Sequence, residues 1–226
     1  MPAVIQEQPL ALGIDFGTSG ARAVVIDATG EIRAESSGVF GDPATHDRAM
    51  LWQSMLMDLL TDLPRAIRQQ IQASAINGTS STVLLCDRHG CPIVDPRLYN
   101  EGVGADIVEK LKAIAPANHP VLSTTSSLAK LYAWLEQREP GHLAHNNNDD
   151  SLYFLHQADW LAFLLHGQLG ISDYHNSLKL GYDVGALAYP DRFKAIWAKC
   201  GMKGDGTSNV PASKIVGSAH PTVCLP

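Results

Sequence analysis

The sequence has little cysteine, no excess of positive charge and no long apolar run, and each shortage excludes a class of protein. Four cysteines in 226 residues, without a two-residue spacing between any pair, are too few for a disulfide-stapled scaffold. We expect reduced thiols that mostly lie in the core, at Cys86, Cys91, Cys200 and Cys224. The 17 Lys and Arg residues against 23 Asp and Glu leave a net charge of -6 without a basic cluster, which argues against binding to nucleic acid or to an anionic membrane.

Targeting and membrane signals are also missing. The longest apolar run, around residues 161–165, is far shorter than a membrane span, and residues 1–8 have neither the basic nor the apolar region of a signal peptide. A cytoplasmic location is therefore the default expectation. Hydrophobic residues at 45% and charged residues at 18% are typical of a globular chain, and the length favours one large domain behind a flexible N-terminus at 1–9.

Three strands are predicted at the start of this domain. Bulky residues alternate with small or polar ones along the first segment, at Leu10, Leu12, Ile14 and Phe16. A turn at 17–20 leads into an alternating run at 21–27, and a turn at 28–30 leads into another run at 31–40. Short connections join antiparallel neighbours, so we predict three antiparallel strands.

A helix is predicted to follow and to cross over this sheet. Apolar residues recur at helical spacing, at Trp52, Leu56, Leu59 and Leu63. Pro64 is expected to end or kink this helix, and a short strand is predicted at 74–78. A helix that crosses between two strands makes an α/β unit, so we expect a mixed sheet with flanking helices.

The second half of the chain is predicted to be richer in helix. Before it, residues 82–86 and 92–94 flank a turn at 87–90 and predict a hairpin. Helical patterns then follow at about 104–114, 126–137 and 157–166, the last of them ended by Gly167.

The first turn is where the sequence best supports chemistry. The first strand delivers Asp15 at its end, on the face that carries Gly13 and Gly17, directly before Thr18 and Ser19. A carboxylate can hold hydrated Mg²⁺, and the backbone N–H groups and hydroxyls of such a turn can hold phosphate oxygens. The glycines leave room for a ligand to approach the backbone. The turn is therefore a candidate phosphate site with Asp15 as a ligand of Mg²⁺, through water.

A plain hairpin is the alternative interpretation of the same residues, in which 17–20 only makes the turn. Two other phosphate-binding motifs do not fit. No Gly-Lys-Thr/Ser occurs, and the turn leads into a second strand rather than into a helix.

Four segments together resemble one protein family. Residues 13–27 are similar to the first phosphate loop of the actin-like ATPase superfamily. Residues 76–87, 157–160 and 172–183 narrow the resemblance to the FGGY carbohydrate kinases, and the last segment is most like the ribulose and xylulose kinases. The resemblance covers about 10–226 and corresponds to the N-terminal, sugar-binding domain. It implies the α/β fold of the actin-like, ribonuclease H-like ATPases, a mixed sheet whose first three strands are antiparallel.

This resemblance implies a kinase that transfers the γ-phosphate of ATP to a sugar hydroxyl, with D-ribulose or D-xylulose as the sugar and with ATP and Mg²⁺ as cofactors. Asp15 would be catalytic, acting on Mg²⁺-ATP close to the sugar. Gly17, Thr18 and Ser19 would face the nucleotide phosphates.

Sugar contacts are implied at two further places. Thr79, Ser80 and Ser81 occupy the loop where family members touch the sugar, and short hydroxyl side chains suit a polyol. The same three residues also fit an ordinary turn at the end of a strand. Asp173 and His175 fall in a segment near the sugar pocket, although an Asp in a loop can equally cap a following turn.

Two departures limit what carries over from the family. After residues 99–101 the family has an aspartate followed closely by an arginine, whereas this chain continues Gly-Val-Gly-Ala, so no sugar contact is carried over there. The general-base aspartate would lie beyond Pro226, and the adenine-binding C-terminal domain is expected to be absent from this chain. General-base help is worth about 10²–10⁴-fold, so we expect the chain alone to be nearly inert. Its expected partners are that C-terminal domain and a second copy of the chain, as a homodimer.

Two other interpretations stay open. A non-catalytic sugar-binding or regulatory module derived from such a kinase would need neither the base nor the adenine domain. A non-sugar member of the actin-like superfamily is the third, and the hydroxyl-rich loop at 79–81 and the segment 181–183 count against it.

Overall fold

The computed structural model describes residues 9–41, 47–137, 152–193 and 214–215. The strands in these residues are β1 (Leu10–Phe16), β2 (Gly20–Ile26), β3 (Ile32–Val39), β4 (Ile71–Asn77), β5 (Val83–Cys86), β6 (Tyr153–His156), β7 (Ile171–Ser172) and β8 (Lys214–Ile215). The helices are α1 (Arg48–Asp62), α2 (Arg65–Arg68), α3 (Ala105–Lys112), α4 (Ser127–Glu136), α5 (Gln157–His166) and α6 (Tyr174–Lys179), with a 3-10 helix at Pro120–Leu122.

The main sheet has the strand order β3-β2-β1-β4. β2 runs antiparallel to both β1 and β3, as predicted, and β4 runs parallel to β1. Parallel neighbours need a crossover connection, which α1 and α2 supply between β3 and β4. The predicted mixed sheet with three antiparallel strands is therefore confirmed.

One face of this sheet is covered, and the other is open among the residues that the structure describes. The covered face buries the bulky residues of β1 to 5% exposure or less, at Leu10, Leu12, Ile14 and Phe16. These side chains share a hydrophobic core with residues of α1 and α5. Ala11, Gly13 and Asp15 are exposed on the opposite face, as the alternation in the sequence predicts.

α1 lies against the covered face of the sheet. The Asp47 carboxylate caps its start by accepting hydrogen bonds from the N–H groups of Ala49 and Met50, at 2.8 and 3.3 Å. The helix ends at Asp62, and its extended C-cap residue Leu63 directly precedes Pro64, which was predicted to end or kink the helix. Its buried side chains join the core, at Ala49, Trp52, Leu56 and Leu59.

A second ladder pairs β5 with β6 in antiparallel register. β6 is only four residues long, and the sequence did not predict it. The predicted hairpin is right at its turn, where the Asp87 N–H donates to the Cys91 carbonyl at 2.9 Å. Its second arm is wrong, because 92–94 is not a strand and meets β5 through a single bridge between Cys86 and Pro92. The hydrogen bonds on both sides of this bridge are present, from the Asp87 N–H to Cys91 and from the Ile93 N–H to Leu85, but residues 93–94 bend instead of continuing the ladder.

The three helices predicted in the second half are confirmed as α3, α4 and α5. Gly167 ends α5 in the left-handed region, at a φ of 71°. A second hydrophobic core lies among α3, α4 and the 3-10 helix. No helix in the part of the chain that the structure describes is long and apolar enough to cross a membrane.

The predicted placement of the thiols holds only in part. Cys86 is buried in the core, whereas Cys91 is exposed. Cys200, Cys224 and residues 1–8 of the predicted flexible N-terminus lie outside the described residues.

Candidate functional site

Asp15 lies where the sequence predicts, at the end of β1 on the open face of the sheet. Asn77 is its register partner at the end of the parallel strand β4, and its side-chain Nδ2 donates to Asp15 Oδ1 at 2.9 Å. The carboxyl ends of parallel strands lie at one edge of a sheet, which is where ligands bind in α/β folds. Sequence reasoning missed Asn77, and its place at the end of the next parallel strand is the signal that could have identified it.

The turn at 17–20 is held at both ends by backbone hydrogen bonds. The Gly17 N–H donates to the Gly20 carbonyl at 2.9 Å, and the Phe40 N–H, just after β3, donates to the Ser19 carbonyl at 2.9 Å. Thr18 and Ser19 are exposed at the tip. The turn therefore presents two hydroxyls from a fixed backbone.

Glycine occupies the positions around this turn for different structural reasons. A Cβ on Gly20 would lie 2.2 Å from the Gly38 carbonyl oxygen, so the close packing of β2 against β3 demands glycine there. A Cβ on Gly17 would come no closer than 3.5 Å to Gly20, and a Cβ on Gly13 no closer than 4.0 Å to Val24. Packing within the protein would therefore tolerate a side chain at Gly13 and at Gly17. Because glycine has none, the space beside these residues is available to a ligand.

The three hydroxyl residues of the loop after β4 differ in their surroundings. Thr79 is half-buried, and its hydroxyl lies 2.6 Å from Thr82 Oγ1 and 2.9 Å from Gln157 Oε1. Ser80 is exposed, while Ser81 is buried and has a φ of 66°, a left-handed conformation that is uncommon for serine.

An open cleft of about 400 Å³ connects the turn with this loop. The predicted residues that line it are Gly17, Thr18, Ser19 and Thr79. The remaining lining comes from the end of β3, from α1, from the segment before α3 and from the start of α5, as Val39, Phe40, Gly41, Arg48, Leu51, Trp52, Leu98, Tyr99, Asn100 and Gln157. Ser80 adjoins the lining residue Thr79 in sequence, whereas Asp15 and Ser81 lie two residues away from Gly17 and Thr79, and none of the three lines the cleft itself.

Asp173 and His175 do not line this cleft. Asp173 caps α6, because its Oδ1 accepts from the Asn176 N–H at 2.9 Å and its Oδ2 accepts from Asn176 Nδ2 at 2.8 Å. The capping alternative left open by the sequence is thus the arrangement observed. A sugar contact by Asp173 stays a prediction.

Much of the cleft wall was missed by sequence reasoning. Residues 98–100 were passed over because the family's aspartate and arginine are missing just after them, yet all three line the cleft. Arg48 of α1 is the cation that lines the described cleft, and its Nη1 lies 3.5 Å from Glu101 Oε1. This pair is partly exposed, so it contributes little to stability.

Gln157 anchors the Thr79 loop from the start of α5. Its side chain is 1% exposed, and its Oε1 accepts from both the N–H and the hydroxyl of Thr79, each at 2.9 Å. A backbone N–H can only donate, so the amide must turn its oxygen toward Thr79. Residues 157–160 contributed to the family resemblance, but periodicity alone assigned Gln157 only to a helix.

Lys130 of α4 lies fully buried behind the cleft wall. Its Nζ donates to the carbonyl oxygens of Ser81 and Leu98, at 2.6 and 2.5 Å. Burial disfavours the charged ammonium and lowers the pKa of Lys130 to about 8, a shift that nearby Glu101 opposes and Arg97 reinforces.

A buried Ser-His-Asp set joins α4 to α5 without forming a nucleophilic site. His156 Nε2 lies 2.9 Å from Ser127 Oγ, and His156 Nδ1 lies 3.1 Å from Asp159 Oδ2. Ser127 is 0% exposed, so no substrate can reach its hydroxyl. The set satisfies buried polar groups and fixes the junction from which Gln157 projects.

The residues present fit a water-rich Mg²⁺ rather than a protein cage. The described residues contain no group of three or more His, Cys, Asp or Glu that could hold a metal. Mg²⁺ keeps several waters and needs only one or two carboxylates, which the exposed Asp15 beside Gly13 and Gly17 can provide.

Comparison with known proteins identifies a family over nearly the whole chain. The sequence profile of the FGGY family of carbohydrate kinases, N-terminal domain, matches residues 10–223. A glycerol kinase of a Geobacillus species is 33% identical over 110 residues, covering 45% of this chain and 22% of that protein. An erythritol kinase of Brucella abortus is 27% identical over 178 residues, covering 74% and 34%. A xylulose kinase of Streptomyces coelicolor is 27% identical over 145 residues, covering 59% and 30%.

Solved structures show the same fold at lower identity. Plasmodium falciparum glycerol kinase with ADP superimposes with a TM-score of 0.70 at 18% identity, covering 93% of this chain and 43% of that chain. Xylulose kinase from Rhodospirillum rubrum gives a TM-score of 0.65 at 20% identity, covering 83% and 40%. The chain thus spans less than half of these kinases, and its fold is the actin-like ATPase fold that they share.

Proposed function

Because the chain belongs to the FGGY family of carbohydrate kinases, as the N-terminal domain, we propose that it is the sugar-binding half of an ATP-dependent kinase for a pentulose, D-ribulose or D-xylulose. The cleft carries this proposal, since the turn at 17–20 and the Thr79 loop meet there. Transfer of a phosphoryl group to a hydroxyl depends on holding both reactants in one space. The relatives named for glycerol, erythritol and xylulose support a polyhydroxy acceptor.

The turn and Asp15 form the nucleotide side of the proposed site. The backbone N–H groups of the turn and the Thr18 and Ser19 hydroxyls bind phosphate oxygens of ATP. Asp15 holds hydrated Mg²⁺ through water, and Asn77 fixes the carboxylate by binding its Oδ1. When bound, Mg²⁺ neutralises charge on the transferring phosphate.

The loop after β4 forms the sugar side. Thr79 lines the cleft and Ser80 is exposed beside it, so both are placed to meet sugar hydroxyls. Ser81 has a buried side chain, so its proposed part is to shape the loop through its backbone. Asp173 is the least supported of the proposed sugar contacts, since its two oxygens already bind Asn176.

A second domain would supply the rest of the reaction. The matched segments cover only 22–34% of the curated relatives, and we propose that the general base and the adenine-binding surface come from the part that the relatives have in addition. The 226-residue chain by itself is then expected to bind sugar and to transfer phosphate at a negligible rate. The cytoplasm, where ATP and free pentuloses meet, is the proposed location.

Binding of pentuloses to the 226-residue chain tests the proposal. A ligand at 100 times its Kd stabilises the fold by about 2.7 kcal/mol, which a thermal shift detects. We expect a shift with D-ribulose or D-xylulose, and calorimetry then gives the Kd. The absence of a thermal shift with all four ligands, D-ribulose, D-xylulose, erythritol and glycerol, would overturn the proposal.

A pair of serine variants locates the binding. Ser80→Ala removes an exposed hydroxyl beside the cleft and is expected to weaken pentulose binding. Ser54→Ala makes the same change on the exposed side of α1 and is expected to leave binding unchanged. Equal affinities in the two variants would remove Ser80 from the site.

A further inference from the structure

We propose that Lys130 is a positioning residue for the cleft: its buried ammonium holds the Ser81 turn and the Leu98 segment together, and these two segments form one wall of the cleft. The inference rests on the proposed function in that it takes the cleft to be the sugar site. Nothing in the family resemblance assigns Lys130 a role, and its side chain touches no part of the cleft lumen.

The hydrogen bonds of Lys130 point to this role. A fully buried ammonium is costly, and its partners here are two backbone carbonyls rather than a carboxylate. An apolar side chain could fill the same space in the core without that cost. An ammonium has three N–H groups, so it can donate charge-assisted hydrogen bonds to two separate segments at the same time, which an apolar side chain cannot do.

Both segments reach the cleft within a residue or two of the bonded carbonyl. Leu98 lines the cleft itself, as do Tyr99 and Asn100 after it. Ser81 adjoins the exposed Ser80 and follows Thr79, which lines the cleft. A serine at a φ of 66° is strained, and a strong bond on its carbonyl helps to hold that conformation.

A purely structural lysine would behave differently from a positioning one as the pH rises. The pKa of Lys130 is lowered to about 8 in the folded chain, from 10.5. Between these values the unfolded chain holds a proton that the folded chain has lost, so stability rises with pH from this group. Loss of the same proton weakens the two bonds to the wall, so sugar affinity should fall over pH 7 to 9.

The groups around Lys130 do not obscure this readout. Arg97 and Glu101 act on it from the Leu98 segment. From the α5 side, His156 contacts α4 at Ser127, and Asp159 binds His156. The reference pKa values of arginine, aspartate, glutamate and histidine side chains all lie outside pH 7 to 9.

The test compares Lys130→Met with Lys110→Met in the 226-residue chain. Lys110 is an exposed lysine of α3 that pairs with Glu136, so it controls for the loss of one positive charge. Calorimetry with D-ribulose and D-xylulose should give a Kd at least about tenfold weaker for Lys130→Met and within about twofold for Lys110→Met. Hydrogen exchange should accelerate at 79–83 and 97–101 in Lys130→Met, with β1 to β4 unchanged.

Each outcome decides between the roles. Unchanged exchange in both segments of a folded Lys130→Met chain, or a wild-type sugar affinity that stays flat from pH 7 to 9 while stability rises, would overturn the inference. The wild-type pH profile needs no variant, so it decides even if Lys130→Met does not fold. If the wild type binds no pentulose, the proposed function fails, and the exchange data alone decide whether Lys130 positions the wall.

Discussion

One added methyl group separates the roles of the two glycines in the first turn. Gly20→Ala puts a Cβ 2.2 Å from a backbone oxygen of Gly38, which cannot move alone, so we expect a loss of roughly 1–3 kcal/mol in the free energy of unfolding. In Gly17→Ala the nearest atom is 3.5 Å away, an ordinary contact. We expect nearly unchanged stability there but weaker MgATP binding, because the methyl group fills space left to the ligand. Urea unfolding and MgATP titration measure the two effects.

Equal losses of stability in Gly17→Ala and Gly20→Ala would contradict this division of roles. A stable Gly17→Ala chain that binds MgATP with the same affinity as the wild type would also contradict it.

Gln157 offers a second test of a single side chain. Gln157→Leu leaves the half-buried Thr79 N–H without its acceptor, which costs about 1–3 kcal/mol, and it should also weaken pentulose binding. Gln53→Leu makes the same change at an exposed position of α1 and should leave both stability and pentulose binding nearly unchanged. Chemical denaturation and calorimetry on the two variants check both expectations. Equal effects of Gln157→Leu and Gln53→Leu on stability and on binding would show that the acceptor oxygen is not what matters.

At the residue scale the sequence predicted the position of a candidate residue best where a local pattern determines that position. Asp15 was assigned to the open face because alternation along β1 fixes it there. Gln157 and Lys130 were given no role, because their importance comes from partners in distant segments, Thr79 for one and Ser81 with Leu98 for the other. No periodicity carries such pairings.

At the scale of elements, α1 depends on its cap to present one side of the cleft. Asp47→Ala removes the acceptor of two helix N–H groups and should lower stability by about 0.5–2 kcal/mol. Arg48 and Leu51 in the first turn line the cleft, so fraying should also weaken sugar binding. Asp58→Ala, an exposed carboxylate later in α1, serves as the control for lost charge and should change neither. Circular dichroism melts and calorimetry would contradict the cap's role if the variants were indistinguishable.

Elements with a clear period or a clear stop were predicted, and those without were not. β1, α1 and α5 have an alternating pattern, a helical spacing before Pro64 and a terminal Gly167, and all three were placed correctly. β6 has four residues and pairs with a strand far away in sequence, so its own residues give no sign of it. The arm at 92–94 was predicted from its position after a turn, but the chain makes a single bridge at Pro92 and then bends at 93–94, so no strand forms.

At the scale of the whole molecule, the β5–β6 ladder lies between two hydrophobic cores. Leu84, Cys86 and Leu155 belong to the core of the main sheet, while Val83, Leu85 and Phe154 belong to the core around α3 and α4. Successive residues of a strand point to opposite faces, so one ladder serves both cores. The two cores are therefore expected to unfold together.

Two neighbouring leucines test this coupling. Leu84→Ala creates a cavity in the core of the main sheet, and Leu85→Ala creates one in the core around α3 and α4. Each should lower the free energy of unfolding by about 2–5 kcal/mol, and each variant should still unfold in one transition. Met57→Ala on the exposed side of α1 should cost far less. Calorimetric scans that split into two transitions in either leucine variant would show that the cores are independent.

The cleft itself belongs to this largest scale, which is why the sequence predicted only part of it. Its turn and its loop were found because each carries a local motif, at Gly17 to Ser19 and at Thr79. The rest of the wall comes from β3, α1, 98–100 and α5, and only the folded chain brings them together.

The hydrogen bonds behind Thr79 also have a direction. The Tyr99 N–H donates to Thr82 Oγ1, and the Thr79 hydroxyl donates to Gln157 Oε1, so the Thr82 hydroxyl must donate to Thr79 Oγ1. In this series of hydrogen bonds each group donates to the next, and the only hydroxyl hydrogen of Thr79 is already donated to Gln157. Toward the cleft its oxygen can act only as an acceptor, so it favours a ligand that brings an O–H and repels an anion that offers only lone pairs. A polyol and a phosphate are thereby told apart at this atom.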